Sequence, residues 1–152
     1  MTSNWRRLLP KEVFSIPTDG DMRKPVRLFN PPQLECVRHC ILLGALARTN
    51  AHERFEGVHD GKTVRSLLDQ NILVEVKTSQ SGYPMEVRPN RNHSLIHNFQ
   101  LLGKSVSLAL YPNSKFTTVV LGFGMKGDEL VIRYNAGSFY HAPISAVVGT
   151  VE

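Results

Sequence analysis

Two cysteines, Cys36 and Cys40, and a single tryptophan, Trp5, are all that the 152 residues hold of those types. Two cysteines four apart exclude the disulfide framework of a small secreted scaffold and point to a reducing, intracellular setting, either cytoplasm or mitochondrial matrix. His39 beside the cysteines, and His93 with His97, are spaced to supply two metal ligands on a helix. A closed zinc site needs four, so no metal and no cofactor is expected. No apolar run approaches the roughly 20 residues that cross a bilayer, and no signal-peptide core stands near the N-terminus, so a soluble protein without a membrane partner is expected. A phosphate-binding loop and a nucleophile elbow are also missing, and Ser, His and Asp carry no local catalytic signature. The expectation is a protein that is not an enzyme.

The rest of the composition is that of a folded domain, with 41% apolar and 20% charged residues and a length that fits one core. Eighteen Lys and Arg against thirteen Asp and Glu give a net charge of +5, which favours an anionic partner without identifying it. The first eleven residues hold Arg6, Arg7 and Lys11 and no acid, which suits either a basic arm or an organellar transit peptide. Pro10, Pro17, Pro25, Pro31 and Pro32 interrupt any long element before residue 33, so residues 1–33 are read as an extended N-terminal arm and residues 34–152 as the folded domain.

Beyond the arm, His39 to Arg48 can be read in two ways. Asn30-Pro31-Pro32 is a helix start with Leu34, Val37, Ile41 and Ala45 at helical spacing, yet the stretch is also an apolar run of strand length. Thr63 to Leu68 is a short helical candidate after the turn His59-Asp60-Gly61. Asn71 to Lys77 alternates as a strand, with Ile72, Val74 and Val76 on one side, and Met85 to Arg88 continues it as a hairpin across a polar loop. Further strands are expected at Leu95–Leu102, Ser105–Leu110 and Ile144–Val151, with the clearest hairpin formed by Thr117–Leu121 and Leu130–Tyr134. The chain is therefore expected to be mainly β, and a small barrel is the economical way to remove exposed strand edges.

Gly122, Gly124 and Gly127 spell a dinucleotide-binding fingerprint, but a returning strand follows where the phosphate-binding helix is required, so they are read as a hairpin turn. Glu75 and Lys77, with Asp60 or Asp69, match a magnesium-dependent nuclease, in which carboxylates hold the metal and the lysine stabilises the attacked phosphate. The simpler reading is a solvated face on an edge strand. Phe99 and Phe123 sit inside apolar runs and are read as core. Basic and aromatic residues recur together: Arg48 and Arg54 with Phe55, Lys77, Tyr83, Arg88 and Arg91, then Arg133 and Tyr134 with Phe139 and Tyr140. Such interleaving suits single-stranded RNA or DNA, because cations follow the phosphates while aromatic faces stack on any base.

Read as a strand, Val37–Arg48 resembles the opening strand of the OB-fold family of single-stranded DNA-binding proteins (SSB-like), which includes divergent mitochondrial OB-fold subunits such as those of kinetoplastid RNA-editing complexes. Ile72–Ser79 is similar to the family's second strand, His97–Lys104 to its third, and Lys126–Ile132 to its turn into the fourth. The sequence departs from the pattern in the long connection Thr49–Asn71, in the missing helix after the third strand, and in Ile96 where a tryptophan is common. The resemblance implies a five-stranded OB-fold barrel over residues 34–152 that binds single-stranded RNA or DNA as part of a homo- or hetero-oligomer. Its ligand would lie on Arg48, Arg54, Lys62, Arg65, Lys77, Tyr83, Arg88, Arg91, Arg133 and Tyr134. A barrel serving only as a docking subunit is the alternative within that fold.

Read as a helix, the same stretch opens a winged-helix DNA-binding domain. Thr63–Gln70 becomes the recognition helix, Ile72–Val87 the wing, and Lys62, Arg65 and Gln70 the groove contacts.

Overall fold

Asn30 decides between the two readings of the stretch that follows it. Its Oδ1 accepts from the Gln33 amide and Gln33 Oε1 accepts from the Asn30 amide, both at 2.9 Å, a reciprocal capping box. Pro31 and Pro32 fill the first two helical positions, where a missing N–H leaves nothing unpaired. Gly44 ends the helix in the left-handed conformation, φ 84°, and donates its amide to the Cys40 carbonyl at 2.8 Å. These local signals outweigh the apolar run. The strand expected over Val37–Arg48 is a helix as far as Leu43, and only Leu46–Ala47 within it is strand.

The computed structural model describes residues 25–49, 54–111, 114–135 and 139–151. The expected N-terminal arm lies outside them up to residue 24. Along the described chain run strand β1 (Val26–Leu28), helix α1 (Pro31–Leu43), the short strands β2 (Leu46–Ala47), β3 (Arg54–Phe55) and β4 (His59–Asp60), and helix α2 (Gly61–Asp69). Strands β5 (Leu73–Thr78) and β6 (Pro84–Pro89), helix α3 (Ser94–Asn98) and a 3-10 turn at Phe99–Leu101 come next. Strands β7 (Ser105–Tyr111), β8 (Ser114–Lys126), β9 (Glu129–Asn135) and β10 (Phe139–Pro143), a 3-10 turn at Ile144–Ala146 and strand β11 (Val147–Thr150) complete it. The protein is mainly β, with antiparallel sheets of several strands.

Residues 30–99 make one compact unit. Its three-stranded sheet has the order β2-β6-β5, with Leu46 opposite Val87 and Leu73 opposite Pro89. Helix α1 lays Cys36, Val37 and Cys40 into the core, all fully buried, and α2 contributes Val64 and Leu67 one turn apart. Gln33 Nε2 donates to Ser66 Oγ at 3.1 Å and ties the two helices together. The stripe expected at Leu34, Val37, Ile41 and Ala45 is thus rotated toward the thiols, which pack as small apolar side chains. Burial pushes both thiols up to about 12, which removes them from thiolate chemistry at neutral pH.

The expected strand Leu95–Leu102 is also helical. His93 Nδ1 accepts from the Leu95 amide at 3.0 Å and starts α3, and Leu95 and Phe99, four apart, are both buried. With the first and third expected strands both helical, the five-stranded barrel over 34–152 loses two of its members. Strand β5 differs from expectation in its faces: Ile72 and Leu73 are buried, but Val74 and Val76 are exposed. The outer half of the β5–β6 hairpin reaches beyond the two-residue β2.

Residues 25–29 and 100–151 belong to a second unit. Its sheet has the order β10-β9-β8-β7-β11, and β1 pairs with the far end of β8, Val26 opposite Lys126. Among the described residues no pairing joins β10 to β11, so the sheet is not closed. The two-residue turn Gly127-Asp128 makes β8–β9 the expected hairpin, but Gly122 and Gly124, expected in the turn, pair within β8 with Arg133 and Val131. Gly124 has a separate reason to be glycine. A Cβ there would stand 2.9 Å from the Arg27 carbonyl and 3.1 Å from Leu28, so β1 could not close on β8. Phe123, Val106, Leu108, Leu130 and Ile132 form the core, each burial contributing roughly 1.5–3 kcal/mol. Ile144–Val151 begins with the 3-10 turn and is strand only from Val147.

Candidate nucleic-acid interface

Helix α2 begins at Asp60, whose Oδ1 accepts from the Lys62 amide at 2.9 Å. With Val64 and Leu67 turned inward, Lys62, Arg65 and Asp69 occupy the exposed face at positions i, i+3 and i+7. The helix then turns directly into the β5–β6 hairpin: the Ile72 amide donates to the Leu67 carbonyl at 2.9 Å. The hairpin tip is held by Ser79, whose amide donates to the Tyr83 carbonyl at 2.8 Å while its Oγ accepts from the Tyr83 amide at 3.0 Å.

Between helix and hairpin lies a cleft of about 440 Å³. Arg48, Lys62 and Arg65 supply three cations to its wall, Asp60 and Asp69 two acids, and Phe55 and Tyr83 two aromatic rings. Arg48 enters from the end of β2, where its amide donates to the Met85 carbonyl at 2.8 Å, and its guanidinium lies over the Tyr83 ring, 5.0 Å from the centroid. On the outer hairpin, Glu86 is flanked by Lys77 at 3.7 Å and Arg88 at 3.5 Å, and both cations remain largely in solvent. Arg54 and Arg91 are exposed in the same unit without lining the cleft.

Eight of the ten residues expected to bind nucleic acid therefore belong to one unit, and four of them share one cleft. The other two, Arg133 and Tyr134, lie on β9 of the second unit. Arg133 donates to the Leu121 carbonyl at 3.4 Å, and its guanidinium packs over Gly122. Tyr134 is 2% exposed, with Phe116 and Tyr140 ring centroids 5.8 and 5.7 Å away, so it is core and offers no face to a base. Gln70, expected as a groove contact of the helix reading, donates instead to the Ser66 carbonyl at 3.1 Å. The nuclease residues are dispersed: the Glu75 carboxylate accepts from the Thr78 hydroxyl, Lys77 pairs with Glu86, and Asp60 caps α2. Among the described residues no group of three or more His, Cys, Asp or Glu is gathered to hold a metal ion.

Sequence reasoning missed one cluster. A second cleft of about 550 Å³ lies between α1 and the β3–β4 hairpin, and in it His39 Nδ1 and His59 Nε2 stand 2.8 Å apart. Burial, and then His39, hold His59 below the ordinary imidazole value, while Glu35 and Glu56 pull it back up. The hydrogen bond from Arg38 holds the exposed Glu35 carboxyl low. The two histidines are twenty positions apart, and nothing in their local sequence signals the contact.

No helix among the described residues is long and apolar enough to cross a membrane. Comparison of the chain with protein-family models, with curated proteins and with solved structures gave no match.

Proposed function

We propose that residues 30–99 form a winged-helix module that binds duplex nucleic acid without catalysis, with α2 as the recognition helix and the β5–β6 hairpin as the wing. The observation that carries this reading is the joining of Lys62 and Arg65, on the open face of α2, to a hairpin that displays Lys77, Tyr83 and Arg88. The order helix, short strand, helix, hairpin supports it, as does a sheet in which the first strand lies beside the last. In this arrangement the β3–β4 hairpin stands where a winged helix has its second helix. A helix about 10–12 Å across with its side chains fits the major groove of B-form DNA, and a wing placed beside it meets the flanking phosphates.

The test is a titration of fluorescent duplex and single-stranded oligonucleotides of the same sequence at several salt concentrations. Duplex is expected to bind more tightly, with a log–log salt slope of about 0.9 for every phosphate neutralised. Tighter binding of the single strand, RNA or DNA, would instead support the ligand class implied by the OB-fold resemblance. Absence of binding to either would leave the unit as a docking module.

A further inference from the structure

The His39–His59 contact bridges α1 and β4, and β4 ends in Asp60, the residue whose carboxylate starts α2. We propose that these two imidazoles share one proton and act as a latch that positions α2 for nucleic-acid binding, a role that rests on the winged-helix reading. At 2.8 Å one facing nitrogen carries a proton and the other offers its lone pair. The contact therefore survives in the neutral pair and in the pair with one excess proton. A second excess proton places N–H against N–H and two positive charges at the same spot, and the contact must open.

The rings meet at an interplanar angle of 62°, so no stacking would hold them once the hydrogen bond is lost. Around them, α1 presents Glu35 and Arg38, the hairpin presents Glu56 and Asp60, and α2 presents only the uncharged Thr63. Glu35 is engaged by Arg38, Glu56 by the Ala47 amide and Asp60 by the Lys62 amide, so none of the three carboxylates is free to neutralise a second proton fully. Opening acts on the cap of α2 through a single peptide unit. His39 and His59 are thus positioning residues for Lys62 and Arg65, and they do not themselves contact the ligand.

The sign of the pH dependence separates this role from general electrostatics. Adding protons to surface histidines raises the positive charge and strengthens attraction to a polyanion. Opening the latch does the opposite, weakening binding as the pH falls. The experiment follows duplex affinity of the full chain, together with imidazole and backbone amide signals by NMR, from about pH 7.5 to about pH 5, spanning the ordinary histidine range. The variants His39→Asn and His59→Gln each keep a hydrogen-bonding nitrogen or oxygen near the original position but do not titrate.

Wild-type affinity is expected to fall by up to about tenfold per pH unit below the second protonation, while His39→Asn stays within about twofold across the range. The Gly61, Lys62 and Thr63 amides should shift with the same midpoint as the paired imidazoles. Should either variant fail to fold, the wild-type titration alone decides. Independent titration of the two rings, or α2 amides that stay unmoved through it, overturns the latch. Failure of duplex binding at every pH overturns the winged-helix reading instead, and the amide shifts still report on the latch.

Discussion

The guanidinium of Arg48 lies 5.0 Å from the centre of the Tyr83 ring, and so joins the end of β2 to the tip of the β5–β6 hairpin. Tyr83 is 48% exposed, and the guanidinium lies over one face of its ring. A pair this open contributes about 0.5–1 kcal/mol. Replacing Tyr83 by Leu is expected to cost that amount in denaturant unfolding and to speed hydrogen exchange at the Gly82 and Tyr83 amides. Exchange rates equal to wild type would show that Ser79 alone holds the tip.

Lys62→Ala and Arg65→Ala should each weaken duplex binding and lower the salt slope by about 0.9, the value for one lost phosphate contact. A base contact behaves differently: its loss costs about 1–3 kcal/mol and relaxes preference at one base pair. Comparing the two variants across a small set of duplexes sorts phosphate contacts from base contacts. Arg38→Ala, which removes a cation already paired with Glu35, should leave both affinity and slope unchanged.

The capping box at Asn30 gives a prediction about stability. Asn30→Ala removes the acceptor for the Gln33 amide and is expected to cost about 1 kcal/mol in denaturant unfolding, whereas Asn30→Asp should be close to neutral. An Ala variant as stable as wild type would mean that the two prolines hold the helix start unaided.

Gly124→Ala should destabilise the sheet of residues 25–29 and 100–151. The new Cβ meets backbone, the Arg27 carbonyl, so relief requires β1 to lift from β8. A loss of about 1–3 kcal/mol, the usual range for overpacking, is expected in thermal unfolding. An unchanged midpoint would show that β1 shifts at no cost.

His93 supplies a pH dependence of its own. Burial lowers its pKa, and its Nδ1 must stay unprotonated to accept the Leu95 amide. The unfolded chain therefore binds more protons than the folded one just below the ordinary histidine value of about 6.5. Stability is fully present above that pH and is lost as the pH falls toward the lowered folded value. His93→Asn keeps a capping acceptor without titrating, so its unfolding midpoint should vary less between about pH 7 and about pH 5.

Much of this was legible in the residues. Thr63–Leu68 lies inside α2, Met85–Arg88 inside β6, the glycine-punctuated hairpin is β8–β9, and Phe99 and Phe123 are buried. The failures have physical causes. Val37–Arg48 and Leu95–Leu102 are apolar enough to pass as buried strands, and in both the deciding information sits upstream, in the caps Asn30 and His93. Asn30-Pro31-Pro32 was visible, but the length of the apolar run hid its weight. Tyr134 looked like a stacking platform because a basic neighbour, Arg133, accompanies it. On a strand successive side chains point to opposite faces, so that adjacency carries no information about what the tyrosine meets. Of the candidate interface, the residues of α2 and its hairpin could be found, but the meeting of Arg48 with Tyr83 and of His39 with His59 could not, since each is made by chain segments far apart in sequence.

The pairing of β1 with β8 sets an order of events during synthesis. Val26 finds Lys126 only after about a hundred further residues have been made, and at about 5–20 residues per second that wait lasts on the order of 5–20 s. All of residues 30–99, and so every partner that this unit finds within itself, emerges within that interval. This unit is thus able to fold while the strand preceding it still has no partner. A nascent chain stalled before β8 would carry a finished helix α2 together with an open strand, Val26–Leu28, with no sheet to join.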